Sequence, residues 1–202
     1  MVEKFKEIVN RNIWKDNQVL RQILGICSAL AVTNQMTNSL VMGFGLTFTT
    51  ALSSLTLSAL RNMIPRRIRM IVQVLVIAFY VIMVDIFIKA TLPDISKALG
   101  PYVGLIITNC IIMGRAEAYA AKNPPLPAML DGLFAGVGYT LVLLIISSIR
   151  EFLGFGTLFG INVNFGFETW TIMVMPPAAF FIIGSLIWIT SNLFAKKPDK
   201  KP

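Results

Sequence analysis

Cysteine is the side chain of this sequence best suited to metal chemistry, and it occurs only at Cys27 and Cys110. Histidine is absent, which excludes histidine-ligated haem, Rieske centres and most zinc sites, and removes the commonest general base. Two cysteines are too few for the disulfide framework of a secreted protein. Three interpretations stay open: two structural cysteines that act as small buried hydrophobes, one disulfide, or half of a four-thiolate metal site.

The metal interpretation requires a second chain. An iron–sulfur cluster takes four cysteine ligands, so two more thiolates would have to come from a partner. Ser28 follows the first cysteine, and Thr108 and Asn109 precede the second. We expect these polar residues to offer hydrogen bonds to cluster sulfur.

The composition indicates a membrane protein. Of the 202 residues, 55% are apolar and 14% are charged, whereas a soluble domain carries about 25% charged residues. The same numbers exclude disorder, which needs low hydrophobicity and high charge. The net charge of +8 lies in blocks between apolar runs, a distribution that favours anionic lipid over nucleic acid.

Six apolar runs follow one another along the chain. Ten or eleven residues, at about 1.5 Å each, cover only about half of a ~30 Å hydrocarbon core. Two runs are this short, and each contains one cysteine: Ile23–Val32 and Val103–Met113. The other four are long enough to span: Ser39–Leu60, Met70–Ile88, Met129–Ile149 and Met173–Phe194.

The order short, long, long occurs twice, which predicts a duplicated three-helix unit. The cysteines are 83 residues apart, and the second runs end alike at Arg61 and Arg150, 89 residues apart. Three crossings per unit force the two halves into opposite orientations. Short segments at matching places of inverted halves point to a site near the membrane midplane.

The predicted fold is therefore an all-α membrane protein with six transmembrane segments, arranged as two inverted three-helix repeats whose segments 1 and 4 are short, broken half-helices. Its parts are an amphipathic cytoplasmic segment, the two repeats, an extracytoplasmic loop in the second repeat, and a basic cytoplasmic tail. The amphipathic segment is 1–22 and the two repeats are 23–98 and 99–195. The loop is 151–172 and the tail is 196–202.

The positive-inside rule supports six crossings. With the N-terminus in the cytoplasm, fifteen Lys and Arg residues fall on the cytoplasmic side and three on the other, namely Lys89, Lys97 and Arg150. With only four crossings, the cluster from Arg61 to Arg69 would face away from the basic N-terminal block. We therefore expect a multi-pass chain with both termini in the cytoplasm.

Other polar residues lie at the ends of the runs. Asp85 precedes Lys89 by four residues, which predicts a helical ion pair; the alternative is a carboxylate giving cations access to the membrane. Arg115 and Glu117 follow the second short run, where an interfacial ion pair is expected. Gly132 and Gly136 form a small-xxx-small pattern that predicts close helix packing.

Two stretches around the cysteines, together with further segments, resemble one family. This family contains the D subunit of the sodium-translocating NADH:quinone reductase and the E subunit of the Rnf ferredoxin:NAD oxidoreductase. Ser28-Ala29 is similar to the quinone-reductase branch, since the Rnf branch tends to have Pro-Thr there. The resembling segments are Leu24–Thr33, Arg61–Pro65, Asp85–Lys89, Asp94–Lys97, Gly104–Ala118, Arg150–Gly154 and Pro176–Phe181.

The resemblance implies a six-span subunit in the inner membrane of a bacterium. Cys27 and Cys110 would be two ligands of a [2Fe–2S] cluster shared with a homologous six-span partner, the E subunit of the quinone reductase, which has the opposite topology. The cluster would relay electrons across the membrane in a complex that oxidises NADH, reduces ubiquinone and exports sodium.

The chain alone has no complete active site, and we expect no flavin, nucleotide or nucleic acid to bind it. Other partners would be the remaining subunits of the complex and the bilayer. Alternatives are an Rnf-type subunit, or a small inverted-repeat transporter with structural cysteines.

Overall fold

The computed structural model describes residues 18–65, 67–91, 100, 102, 104–158, 161–162 and 171–195. Within these ranges the chain is mainly helical. The helices are α1 (Ile26–Val32), α2 (Met36–Leu60), α3 (Arg69–Thr91), α4 (Cys110–Arg115), α5 (Pro125–Phe155) and α6 (Pro176–Ala195). A π-helical turn, Ala116–Ala120, continues α4, and a 3-10 turn, Thr171–Val174, precedes α6. Thr157–Leu158 (β1) and Ile161–Asn162 (β2) form a short antiparallel hairpin.

Three helices are long and apolar enough to cross a membrane: α2, α3 and α5, with 25, 23 and 31 residues. At about 1.5 Å per residue, each is longer than the ~30 Å hydrocarbon core. They correspond to three of the four predicted long runs, so the prediction of a helical membrane protein is confirmed. The predicted segment 1–22 lies mostly outside the described residues, and the tail 196–202 lies entirely outside them.

Two predicted boundaries are wrong. The run Met173–Phe194 does not start as an α-helix, because Thr171–Val174 is a 3-10 turn and α6 begins at Pro176, where proline fits the first turn of a helix. The described apolar part of α6 then ends at Asn192 and is shorter than a span. The loop expected from residue 151 begins later, since α5 continues to Phe155 and ends at Gly156, whose φ is 63°.

Helices α2 and α5 form the centre of the fold, and they pack closely because glycines face backbone across the contact. A Cβ on Gly136 would lie 2.6 Å from Cα of Thr47, and one on Gly132 would lie 2.8 Å from the carbonyl oxygen of Thr50. Gly43 of α2 faces the side chain of Thr140 of α5. The predicted packing role of the Gly132 and Gly136 pattern is confirmed.

Hydroxyl groups line the buried side of α2. Thr47, Thr49 and Thr50 each donate a hydrogen bond to the carbonyl oxygen four residues earlier, over 2.6–2.8 Å. A hydroxyl satisfied inside its own helix avoids the cost of an unpaired polar group in an apolar surrounding. Small residues of this kind let α2 approach α5 closely.

Helix α3 lies at the outside of the described fold. Its buried residues are Gln73, Ile77 and Val81. Its exposed apolar side chains form an almost continuous surface: Met70, Ile71, Val74, Leu75, Phe79, Ile82, Met83, Ile86 and Phe87. A surface this apolar requires lipid or another protein to cover it.

Residues at the end of α5 form hydrogen bonds with the connection between α1 and α2. Arg150 donates hydrogen bonds to Thr33 Oγ1 over 2.6 Å and to the carbonyl oxygen of Val174 over 2.8 Å. The neighbouring Glu151 accepts the backbone N–H of Met36, the first residue of α2, over 2.8 Å. This bond satisfies one of the free N–H groups at the start of a helix.

Candidate functional site

The two cysteines lie at the beginnings of the two short helices. Cys27 is the second residue of α1, and Cys110 is the first residue of α4. The structure brings these beginnings together, because the backbone N–H of Gly25 donates a hydrogen bond to Cys110 Sγ over 2.9 Å. Residues from the two halves of the chain, 85 positions apart, thus meet in one place.

A tight left-handed turn leads into α1. Ile23 has a φ of 57° and Gly25 a φ of 80°, values that L side chains adopt only at a cost of roughly 1–2 kcal/mol. A Cβ on Gly25 would also lie 2.5 Å from Cδ1 of Ile111 and 3.1 Å from Cε2 of Tyr139. Glycine is therefore required here by its conformation and by the close approach of α4 and α5.

The second short run is broken immediately before its cysteine. Residues 104–107 are helical, Thr108 is in a turn, and Asn109 is extended with φ −68° and ψ 120°. The Asn109 side chain then accepts the backbone N–H of Ile111 over 3.0 Å and caps the new helix. The apolar run ends at Met113, whereas the helix continues to Arg115 and then as a π-helical turn to Ala120.

A buried polar network surrounds the cysteines. Ser28 Oγ donates to the carbonyl oxygen of Gly25 over 3.0 Å, and it lies 2.5 Å from the Tyr139 hydroxyl oxygen and 3.0 Å from Asn109 Nδ2. Ser28 donates its hydroxyl proton to Gly25 in this network, and its bond to cluster sulfur stays a prediction.

Two donors in this network were missed from the sequence. The N–H that reaches a cysteine sulfur belongs to Gly25, and a backbone group leaves no signal in a residue pattern. Tyr139 is fully buried and lies near the middle of α5. A phenol inside an apolar run was the available signal, because a buried tyrosine hydroxyl usually has a hydrogen-bond partner.

The two thiols differ in their accessibility. Both cysteines are free; Cys27 is exposed and Cys110 is partly buried. No cluster of three or more His, Cys, Asp or Glu side chains able to hold a metal occurs in the described part of the chain. Two thiols, one of them facing outward, can therefore provide half of a four-thiolate site and leave a side open to a second chain.

The other predicted polar residues lie in separate ion pairs. Lys89 Nζ donates to Asp85 Oδ2 over 2.6 Å, which confirms the helical pair; the cation-access role of Asp85 stays a prediction. Arg115 and Glu117 do not pair with each other as expected. Arg115 forms a two-point ion pair with the buried Asp131, and Glu117 accepts from Arg69 over 2.8 Å.

Comparison with known proteins gives a family for nearly the whole chain. Residues 5–187 match the Rnf-Nqr family, which is described as an Rnf-Nqr subunit and membrane protein. The chain belongs to the Rnf-Nqr family. The resemblance seen around the cysteines is thereby confirmed, and the membrane location of this Rnf-Nqr chain agrees with its three candidate spans.

Relatives within the Rnf-Nqr family carry a more specific name, the D subunit of the Na(+)-translocating NADH-quinone reductase. The relative from Chlamydia felis is 47% identical over 93% of each chain. The one from Aeromonas hydrophila is 50% identical over 98% of this chain and 97% of its own length. That of Shewanella loihica is 44% identical over 98% of each chain. These relatives are subunits of a multisubunit oxidoreductase.

Proposed function

We propose that this chain is the D subunit of a Na(+)-translocating NADH:quinone reductase and that Cys27 and Cys110 are two of the four ligands of a [2Fe–2S] cluster shared with a partner subunit. The observation that carries the proposal is the hydrogen bond from Gly25 N–H to Cys110 Sγ, because it joins the beginnings of the two helices that hold the cysteines. The near full-length similarity to relatives that are D subunits supports the choice of complex.

The residues present fit an iron–sulfur cluster. Thiolate is the preferred ligand of such clusters, and hydrogen bonds to the sulfurs tune their potential. Gly25 supplies one such bond, and the first turns of α1 and α4 have backbone N–H groups with no acceptor within the helix. When bound, the cluster accepts and passes on single electrons. The two cysteines would hold it, and the surrounding buried side chains would exclude water.

The partner is proposed to be the E subunit of the same complex, a homologous six-span chain of opposite topology. This chain supplies two thiolates, so two more must come from outside it. Cys27 is exposed in the described fold, which leaves its sulfur open to a ligand set completed by another chain. The exposed apolar face of α3 shows that the chain has further surface for lipid or for other subunits.

The inverted repeat is proposed to be the symmetry of this fold. The offset of 89 residues that aligns Arg61 with Arg150 also aligns Gly43 with Gly132 and Thr47 with Gly136. Gly43 packs on α5 and Gly132 on α2, whereas Thr47 and Gly136 contact each other. These contacts support two units related by a two-fold axis that passes through the Thr47–Gly136 contact.

Accessibility labelling tests the six crossings. We propose that both termini are cytoplasmic, and therefore that single-cysteine labels at Lys200 and Asn164, both outside the described residues, react from opposite sides of the bacterial inner membrane. The motive is the fifteen-to-three distribution of Lys and Arg. Labelling of both positions from the same side would overturn the six-crossing topology.

The electron path proposed for the complex runs from the NADH-oxidising side, through the site at Cys27 and Cys110, towards flavins on the opposite side and finally ubiquinone. Sodium export would be coupled to this transfer. Asp85 is the proposed access point for the cation, since carboxylates near the ends of membrane helices mark ion paths. Replacing Asp85 by Asn should then slow the entry of sodium into the complex, and hence its export, without removing iron from the complex.

Iron content after co-purification tests the ligand assignment. With the homologous partner we expect about two irons per heterodimer, together with acid-labile sulfide. Cys27→Ser and Cys110→Ser should each abolish the paramagnetic resonance signal of the reduced cluster and leave the chain inserted. Ser28→Cys adds a thiol beside Cys27 and removes no ligand. Combined with Cys27→Ser, it tests whether the thiol must lie at position 27, and it should not restore the cluster signal.

Three results would contradict the proposal. A Cys→Ser variant with full iron content and normal electron transfer would show that the replaced residue is not a ligand. A stable lone chain that moves a substrate without iron would favour the transporter alternative. Electron entry from ferredoxin instead of NADH in the purified complex would assign the chain to the Rnf branch.

A further inference from the structure

We infer that Tyr139 is a positioning residue that fixes the two cysteine helices relative to each other. The use of this positioning, to hold two cluster ligands, rests on the proposed function. Tyr139 is fully buried in α5, a helix that contains neither cysteine. Its hydroxyl oxygen lies 2.5 Å from Ser28 Oγ. Through this contact, α5 connects α1 to Asn109, the residue that caps α4.

Counting hydrogen-bond capacity gives the direction of each bond. A serine hydroxyl has one proton to donate and two lone pairs to accept with. Ser28 donates its proton to the carbonyl oxygen of Gly25 and accepts from Asn109 Nδ2. The remaining lone pair faces the Tyr139 hydroxyl, so Tyr139 is the donor and the hydroxyl of Ser28 is saturated.

The saturated junction connects the backbone on both sides of the two cysteines. Gly25 and Ser28 flank Cys27, whereas Asn109 precedes Cys110 and accepts the N–H of Ile111 after it. Gly25 closes the circuit, because its N–H reaches Cys110 Sγ. A shift of either helix would break more than one of these bonds, and buried unpaired groups are costly.

The chemical consequence is preorganisation of the thiol pair. Ligands whose positions are already fixed lose less conformational freedom when they bind, so a rigid pair binds more tightly than a mobile one. The hydroxyl of Tyr139 bonds to Ser28, and it acts on the thiols through that residue. Its contribution should therefore appear in the geometry of the thiols even without iron.

The test measures bridging of the two thiols in the full-length chain, purified with its complex and stripped of iron by a chelator. Dibromobimane links two nearby thiols, and mass spectrometry of peptides identifies the Cys27–Cys110 product. We expect bridging about fivefold slower in Tyr139→Phe, the loss expected for one buried hydrogen bond. Tyr80→Phe, in the outer helix α3, is the matched control and should bridge at the wild-type rate.

A double variant separates positioning from general loosening. Ser28→Ala removes this bond and also the bonds to Gly25 and Asn109, so it should slow bridging at least as much as Tyr139→Phe does. Ser28→Ala with Tyr139→Phe should be no slower than Ser28→Ala alone, because the hydrogen bond of Tyr139 is already lost. In the iron-loaded complex, Tyr139→Phe should broaden the resonance signal and shift the reduction potential. If Tyr139→Phe fails to accumulate, Ser28→Ala measures the loss of the bond to Tyr139 together with the bonds to Gly25 and Asn109, and a wild-type bridging rate in that variant would overturn the role of Tyr139.

The outcomes distinguish the two proposals. Wild-type bridging rates in both single variants, or independent effects that multiply in the double variant, would overturn the role of Tyr139 while leaving the ligand assignment intact. Absence of iron from the wild-type complex would overturn the ligand assignment, whereas the bridging assay would still decide the role of Tyr139.

Discussion

The backbone N–H of Gly25 lies 2.9 Å from Cys110 Sγ and donates a hydrogen bond to it. Gly25 caps α1, the helix that carries Cys27, and adopts a left-handed conformation to do so. The turn that begins one cysteine helix therefore also holds the sulfur of the other. Because the bond comes from the backbone, it depends on the conformation of residue 25 and on the absence of a Cβ there.

Replacing Gly25 with alanine should disrupt the site. The new Cβ would lie 2.5 Å from Ile111 Cδ1, and the left-handed conformation should cost about 1–2 kcal/mol of folding free energy. We expect the iron content of the complex to fall at least severalfold. Gly104→Ala is the control, since a Cβ there meets nothing within 4 Å and should preserve iron. Equal iron in the two variants would contradict the requirement for glycine.

The sequence was informative where composition and spacing decide the structure. The apolar runs predicted α2, α3 and α5, and the unusual shortness of two runs predicted the cysteine helices. Details that arise from tertiary contact were not predictable in this way. The Gly25 hydrogen bond and the break at Asn109 depend on how two distant segments meet, which a single run of residues does not contain.

Replacing Gly136 with leucine should destabilise the α2–α5 contact. A Cβ at this position already lies 2.6 Å from Cα of Thr47, and backbone cannot move aside as a flexible side chain can. Overpacking typically costs about 1–3 kcal/mol, measurable as free energy of unfolding in mixed detergent micelles. Gly184→Leu in α6 is the matched control, because nothing lies within 4 Å of a Cβ there. A wild-type unfolding free energy for Gly136→Leu would contradict the described helix contact.

The buried pair of Arg115 and Asp131 should be costly to break from one side. Their side chains are 7% and 1% exposed, so Asp131→Ala leaves a buried guanidinium without this carboxylate, at a cost of about 3–5 kcal/mol. Arg115→Met should cost a similar amount, and the double variant should lose less than the sum of the two.

Asp85→Ala serves as the control for that experiment. Its partner Lys89 has a side chain that is 60% exposed, and exposed helical pairs contribute only about 0.3–0.5 kcal/mol. The comparison uses the free energy of unfolding of all four variants in the same micelles. Additive effects of Arg115→Met and Asp131→Ala would show that the two residues do not stabilise each other.

Charges at the ends of the runs show the limit of pattern reasoning most clearly. The predicted repeat aligns Arg61 with Arg150, yet Arg61 is exposed and Arg150 is 2% exposed. Both residues end an apolar run in the same way. Only the fold distinguishes them, because the corner of α1 and α2 lies against Arg150.

Replacing Arg150 with lysine should therefore have a consequence that Arg61→Lys lacks. Arg150 bonds Thr33 Oγ1 through one guanidinium nitrogen and the carbonyl oxygen of Val174 through another, and a single ammonium cannot reproduce this planar fork. Loss of a hydrogen bond to a charged group costs about 1.5–3 kcal/mol. Thr33 directly follows α1, so the end of the Cys27 helix should loosen.

The measurement is the rate at which a maleimide modifies Cys27 in the iron-free complex, together with the free energy of unfolding in detergent. Arg150→Lys should change the modification rate at Cys27 and lower the unfolding free energy. Arg61→Lys should leave both within the scatter of surface substitutions, about 0.5 kcal/mol for stability. Identical behaviour of the two variants would mean that α1 is positioned without Arg150, and that Tyr139 and Gly25 at its beginning are sufficient to hold it.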